Sequence, residues 1–282
     1  MIDRLPRHFI WITALFGIAG ACAADAPPRS NVEMEQAIRA LLVASPYKIS
    51  DAARAGTIRY RVQLRDGSVW NWPETAEQHV AQHGDATELT ICTDCGREPP
   101  PDKAELQRYL QPNAWVQSRD RRVVDFARVA NGGSIDAKMS ALILAIQKHM
   151  NGAIDFREYQ TAVQALDSRG GDCTEYAVLL AAAARARGIP TRVVSGISYA
   201  SHFLGQRHAF SPHMWVQVWN GTRWASYDAA LDRFDAGHIA IAIGDGSPDS
   251  LRGTTATIAR LKILDAAGVL PAAETEPPAT IK

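Results

Sequence analysis

The segment from Ser168 to Gly196, SRGGDCTEYAVLLAAAARARGIPTRVVSG, constrains the chain more than any other. Asp172, followed three residues later by Glu175, forms a capping box ahead of an apolar run. From Ala177 to Ala184 the run has no polar residue, and it stops at Gly188-Ile189-Pro190. A helix that is apolar all round has to be enclosed by other elements, so this one is expected to be a buried central helix. Asp172 as N-cap makes Cys173 the first helical residue, beside the unpaired N–H groups and positive end that favour a thiolate. The adjacent Asp172 carboxylate opposes that ionisation. The plainer alternative is a small buried cysteine filling space.

Helical spacing precedes this segment, over 32–44, 103–110, 122–130, 135–150 and 156–168. Strand patterns follow it at 191–199, 213–219 and 222–228. Upstream, residues 57–73 alternate around Asp66-Gly67 and predict a hairpin, then a polar helix at 74–83 and a strand at 88–92. Helices first and antiparallel strands after, without strict alternation, predict an α+β fold. The triple proline at 99–101 marks a boundary between an N-terminal extension, residues 24–101, and a second domain, residues 102–265. Residues 266–282, with three prolines, predict a loose tail.

HMWVQVW and TRWASYD flank Asn220-Gly221, the strongest two-residue hairpin signal. Such a turn pairs Trp219 with Thr222 and sets His213 directly opposite Asp228, with Cβ atoms about 5 Å apart. A carboxylate there orients one imidazole nitrogen and leaves the other free to take a thiol proton. A cross-strand surface ion pair of little consequence is the simpler alternative.

Taken together, R-x-G-D-C-T-E (Arg169 to Glu175), A-x-x-x-G-I-P-T-R-V-V-S-G (Ala184 to Gly196), H-x-W-V-x-V (His213 to Val218) and the Asp after the second strand resemble the transglutaminase-like cysteine enzyme superfamily. The resemblance spans about residues 135 to 245, and LDRFDAGHIAIAIGDG (231–246) looks like a bacterial branch of the group. It implies a papain-like core with the Cys-bearing helix packed on an antiparallel sheet. It also implies Cys173 as nucleophile, His213 as general base and then acid, and Asp228 as the orienting carboxylate, with no cofactor. Two departures, Ala229 where relatives commonly have Pro and Tyr176 where many bacterial members have His, bear on subfamily and substrate rather than on the triad. The implied chemistry is acyl transfer at a peptide or protein amide through a thioester, with hydrolysis expected ahead of cross-linking; a scaffold domain that kept the fold without activity is the alternative. The Cys173 N–H is expected in the oxyanion hole, with Tyr159, Gln160 and Gln164 as candidates for the second donor. Trp215 and Trp224 alternate onto the His213 face and are expected to line the cleft or to pack.

Cys92-Thr93-Asp94-Cys95 has three readings: a disulfide, a zinc site with His79 and His83 at i, i+4, or a redox motif. Gly96 and the prolines deny the redox motif its helix. A single C-x-x-C in an exported chain favours the disulfide. His202 and His208 belong to a loop leading to His213, and His238 reads as a satisfied structural histidine. Asp245 and Asp249 are too few for a calcium loop.

Arg4, Arg7 and His8 precede a 15-residue apolar stretch ending at Ala23, which predicts a secretory signal peptide over 1–23 and an exported, periplasmic protein. Acylation at Cys22, after Ala19-Gly20-Ala21, is the alternative and would anchor the chain to a membrane by lipid. No other stretch is long and apolar enough to span a bilayer, so the mature protein is expected to lack a transmembrane domain. With 30 Lys+Arg against 30 Asp+Glu and no basic run, an electrostatically driven nucleic-acid binder is excluded.

Overall fold

The computed structural model describes residues 30–152, 154, 156 and 159–268. The expected signal peptide, Cys22 with it, and most of the expected tail lie outside the described residues. Helices α1 (Asn31–Ala40), α2 (Asp51–Arg54), α3 (Lys103–Arg108), α4 (Arg121–Phe126), α5 (Ile135–His149), α6 (Ala162–Ser168), α7 (Cys173–Ala186) and α8 (Thr254–Arg260) are joined by two short 3-10 turns. The strands are β1 (Val43–Ala44), β2 (Ile58–Leu64), β3 (Gln78–His83), β4 (Ala86–Ile91), β5 (Thr191–Phe203), β6 (Gln206–Trp219), β7 (Trp224–Tyr227), β8 (His238–Gly244) and β9 (Leu261–Ala267).

Three layers result. The central sheet runs β1-β6-β5-β8, with β7 also paired to β6, and its paired strands are antiparallel. On one side lie α4, α5, α6 and α7, with α7 packed against the other three and against β5 and β6. Every residue of α7 from Ala177 to Arg185 is buried, which is the enclosure its apolar surface required. Removing a fully buried side chain there, such as Leu180→Ala, costs about 2–5 kcal/mol. On the other side a second antiparallel sheet, β3-β4-β2-β9, presents Ile58, Tyr60, Val62 and Leu89 to Ile197, Phe210 and Ile239 of the central sheet.

The second sheet departs from the sequence expectation in three places. First, the 57–73 hairpin does not form: β2 ends at Leu64, and it pairs with β4 and β9 instead. Pro73 has no N–H for a ladder, and Trp70 and Trp72 pack into the core between the sheets, Trp70 Nε1 donating to the Ile241 carbonyl at 2.9 Å. Second, residues 78–83 are a strand, not a polar helix. It pairs with β4 through a two-residue Gly84-Asp85 turn, with Gly84 at φ +65°. Gly-Asp is itself a hairpin signal. Third, Ala266 and Ala267, the first residues of the expected tail, pair in β9 with Tyr60 and Arg59. The sheet that begins in the N-terminal segment is therefore closed by the last described strand.

Candidate active site

The chain leaves α6 through Arg169 in the left-handed conformation (φ +57°) and passes Gly170 and Gly171 into α7. Gly171 has φ +148°, and a Cβ there would fall 2.5 Å from the Glu175 side chain. That close approach lets the capping box form. Asp172 Oδ1 accepts from the Thr174 N–H at 2.9 Å, and Glu175 Oε2 accepts from the Asp172 N–H at 2.9 Å. Glu175 is buried, and its other oxygen accepts from the Gln160 N–H at 3.1 Å. Cys173 is thereby fixed as the first helical residue, half-buried and unbonded to another sulfur.

His213 lies in the middle of β6, opposite Gly196 of β5. A Cβ at Gly196 would fall 2.0 Å from the Ile239 carbonyl oxygen, so glycine allows β8 to close in behind the histidine. Asp228 follows the end of β7. The connection between β6 and β7 differs from the expected two-residue turn: Trp219 pairs with Trp224, and Asn220 to Arg223 form the turn. Asn220 Oδ1 accepts from the backbone N–H groups of Thr222 and Arg223, both at 3.0 Å, which stabilises the longer loop. His213 and Asp228 are therefore not direct cross-strand partners. A two-residue shift preserves the side on which a side chain emerges, and the pair still meets: His213 Nε2 and Asp228 Oδ2 are 2.6 Å apart.

Asp228 is surrounded by donors. Oδ1 accepts from the N–H groups of Ala230 at 2.8 Å and Leu231 at 3.1 Å, and Oδ2 is also 3.1 Å from His238 Nε2. Burial opposes its ionisation, but the charge and hydrogen bond of His213 and the hydrogen bond of His238 outweigh it, holding the carboxyl well below the usual range. Burial likewise opposes protonation of His238, but its bonds to Asp228 and Asp235 lift it to about 9. Cys173 shifts against the expectation from its helix position. Burial, then the Asp172 charge, push its thiol well above its ordinary value, while a hydrogen bond from the Met214 backbone pulls the other way.

Cys173, Asp172 and His213 line one cavity of about 600 Å³, which Met34, Ile38 and Leu41 bound from the α1 side. Of the three candidates for the second oxyanion donor, Tyr159 lines this cavity, its hydroxyl donating to the Gly246 carbonyl at 2.7 Å. Gln164 is occupied in the α6 capping box, and the Gln160 N–H is taken by Glu175. Trp215 and Trp224 are fully buried and do not line the cavity. Trp215 stacks along His213 with ring centres 6.0 Å apart, and Trp224 lies under the Arg192 guanidinium at 4.4 Å. His202 is exposed on β5, and His208 Nδ1 is 2.9 Å from the Tyr199 hydroxyl.

Cys92 and Cys95 are joined as a disulfide, so their sulfurs are not zinc ligands, and His79 pairs with Glu74 at 3.1 Å. His213, Asp228 and His238 offer ligand-type atoms within 4.8 Å of one another. Both imidazoles already bond to the same carboxylate oxygen, so hydrogen bonds satisfy the cluster without an ion. Sequence reasoning assigned His238 a structural role and missed its contact with Asp228. The Asp235-Ala236-Gly237-His238 turn was the available signal, because a histidine entering an apolar strand needs polar partners on both ring nitrogens.

Residues 127–229 match the family model described as the transglutaminase-like superfamily. The match covers about a third of the chain, and over it the segment resembles that superfamily. A protein-glutamine gamma-glutamyltransferase of Pseudomonas aeruginosa is 30% identical over 167 residues, covering 53% of this chain and 24% of the relative. The chain thus spans about a quarter of that relative's length. Among solved structures, the periplasmic domain of TgpA from Pseudomonas aeruginosa is similar at 22% identity and TM-score 0.45, covering 67% of this chain and 76% of that one. A candidate cysteine protease of Cytophaga hutchinsonii is similar at 16% identity and TM-score 0.43, covering 75% and 85%. The transglutaminase-like match contains Cys173, His213 and Asp228 and ends one residue after Asp228.

Proposed function

We propose that this chain is an exported thiol enzyme of the transglutaminase-like type that performs acyl transfer at amide bonds of peptides or proteins, using Cys173, His213 and Asp228. The observation that carries this reading is the buried 2.6 Å His213–Asp228 contact, made through Nε2, beside a cysteine that lines the same cavity as the imidazole. With Nε2 committed to the carboxylate, Nδ1 is the nitrogen left to exchange a proton with the thiol.

Because the Cys173 thiol is raised, the proton moves during attack rather than before it. His213 takes the thiol proton as Sγ bonds to the amide carbon. It then gives that proton to the leaving nitrogen as the C–N bond breaks, releasing the amine and leaving a thioester. Asp228 stabilises the imidazolium that exists between the two transfers. The Cys173 N–H is among the helix-terminal donors without an intrahelical acceptor and supports the developing oxyanion. Water attacks the thioester, His213 accepts its proton, and the acid leaves as the thiol is restored.

Hydrolysis is the primary outcome in this reading, in a catalytic unit over residues 102–265 braced by the N-terminal segment 24–101. A second outcome, transfer to an amine in place of water, draws support from the 30% identity to a protein named for glutamine transfer. Export and a periplasmic location rest on the basic-apolar N-terminus.

The test is to incubate the protein with blocked glutaminyl and other peptide amides, with and without an added amine. Expected are release of ammonia or amine and a thioester adduct on the Cys173 peptide. Release that persists in Cys173→Ala would refute the assignment. Amine incorporation exceeding hydrolysis at millimolar amine would select the transfer reading.

A further inference from the structure

We propose that His238 is a positioning residue of this site: backed by Asp235 and Arg54, it clamps the Asp228 carboxylate that orients His213. The inference rests on the triad reading above and extends it to residues beyond the matched domain.

Asp228 stands just past the end of β7, where no strand ladder holds its side chain. The two backbone N–H groups on Oδ1 anchor one oxygen, but the carboxylate can still swing about that anchor. His238 Nε2 removes this freedom by bonding the same oxygen that His213 uses, at 3.1 Å against 2.6 Å. His238 is itself held tightly. It is buried at the first position of β8, with the rings of Trp215 and Phe234 centred 5.2 Å and 5.1 Å away. Its Nδ1 is 3.2 Å from Asp235 Oδ1, and Asp235 Oδ2 accepts from Arg54 Nη1 at 2.8 Å.

Arg54 belongs to α2, far upstream in sequence. Its carbonyl also accepts from the Ala236 N–H at 2.8 Å, while the Tyr60 hydroxyl donates to the Ala236 carbonyl at 2.8 Å. The loop carrying Asp235 is therefore fastened to the N-terminal segment at three points. Arg54, Asp235 and His238 all lie outside residues 127–229. The N-terminal segment thus reaches the catalytic carboxylate through an unbroken chain of side-chain bonds, Arg54 to Asp235 to His238 to Asp228 to His213. A fixed network of this kind keeps reacting groups within the tolerance that catalysis demands.

The test needs no natural substrate. The rate of Cys173 alkylation by iodoacetamide is measured at fixed neutral pH on the full chain by mass spectrometry of the Cys173 peptide, with melting temperature recorded in parallel. His238→Leu should slow alkylation by about tenfold or more, the scale seen for lost supporting-shell contacts. His238→Gln, whose amide can donate to Asp228, should recover most of the wild-type rate. Asp228→Asn serves as the reference for loss of the triad. If Asp228→Asn alkylates at the wild-type rate, the triad reading itself falls. If Asp228→Asn is slow but folded His238→Leu is not, the triad stands and the His238 clamp is refuted. Faster alkylation in both His238 variants would also overturn it, since His238 would then act as a charge opposing His213. Should His238→Leu not fold, Asp235→Asn decides: a slowing in the same direction supports the clamp, and an unchanged rate overturns it.

Discussion

His213 and Asp228 meet side chain to side chain at 2.6 Å although their backbones are not paired across the β6–β7 hairpin. The contact depends on the parity of the strands and on the donors around Asp228, not on direct opposition. Asp228→Asn should therefore keep the fold while lowering kcat by about 10²–10⁴-fold, because an amide neither stabilises the imidazolium nor holds the tautomer that leaves Nδ1 free. Steady-state kinetics on the amide found to be cleaved check this. Undiminished turnover would leave the carboxylate as a structural partner of the two histidines.

Cys173 is half-buried at a cavity wall, so truncating it leaves little unfilled space. Cys173→Ala is expected to abolish amide cleavage by more than about a thousandfold, the scale of a lost nucleophile, while melting temperature moves by no more than about 2–3 °C. A large fall in melting temperature with activity retained would mark the cysteine as packing.

Asp172 has two separable effects on the cysteine next to it. Its oxygen caps α7, and its charge is, after burial, the largest influence raising the Cys173 thiol. Asn caps a helix about as well as Asp but carries no charge. Asp172→Asn should lower the thiol pKa and speed iodoacetamide alkylation at pH about 7 by several-fold, on the scale of one nearby charge. A slower reaction in a folded variant would show that the carboxylate assists the thiol.

Stability should depend on pH in opposite senses at the two ends of the range. Glu175, lifted by burial and by Asp172 from 4.5 to about 7, binds its proton more tightly in the folded chain, so folding loses stability as pH rises from about 4.5 through 7. His238, lifted from 6.5 to about 9, contributes stability that is complete below about 6.5 and lost as pH rises through 9. Asp228, held below its ordinary 3.8, contributes above that value and loses its contribution as pH falls beneath it. Melting temperature should peak near pH 5 and decline towards pH 9, and His238→Gln should flatten the upper part of that decline. A melting temperature that climbs steadily from pH 5 to pH 9 would contradict both assignments.

The parts of this protein written in short-range signals are the parts readable from its residues alone. Asp172 and Glu175 start α7 with bonds that span three residues, so the position of Cys173 needs no knowledge of the rest of the fold. The alternation of HMWVQVW and TRWASYD placed His213 and Asp228 on one side even with the turn two residues longer than expected, because a slip of two leaves strand parity intact. Tertiary structure decided the rest. Residues 57–64 prefer β4 and β9 to their own neighbours because Trp70, Trp72 and the donor-less Pro73 belong to the core between the sheets, and local alternation does not register a partner some 200 residues away. Cys173 shows the same limit in its chemistry: the helix terminus favours a thiolate, yet burial beneath neighbouring elements reverses the shift. His238 gained its partners only when β8 paired with β5 and brought it within reach of Asp228. The energy of a buried hydrogen bond depends on which groups the folded chain brings within about 3 Å, and spacing along the sequence does not carry that information.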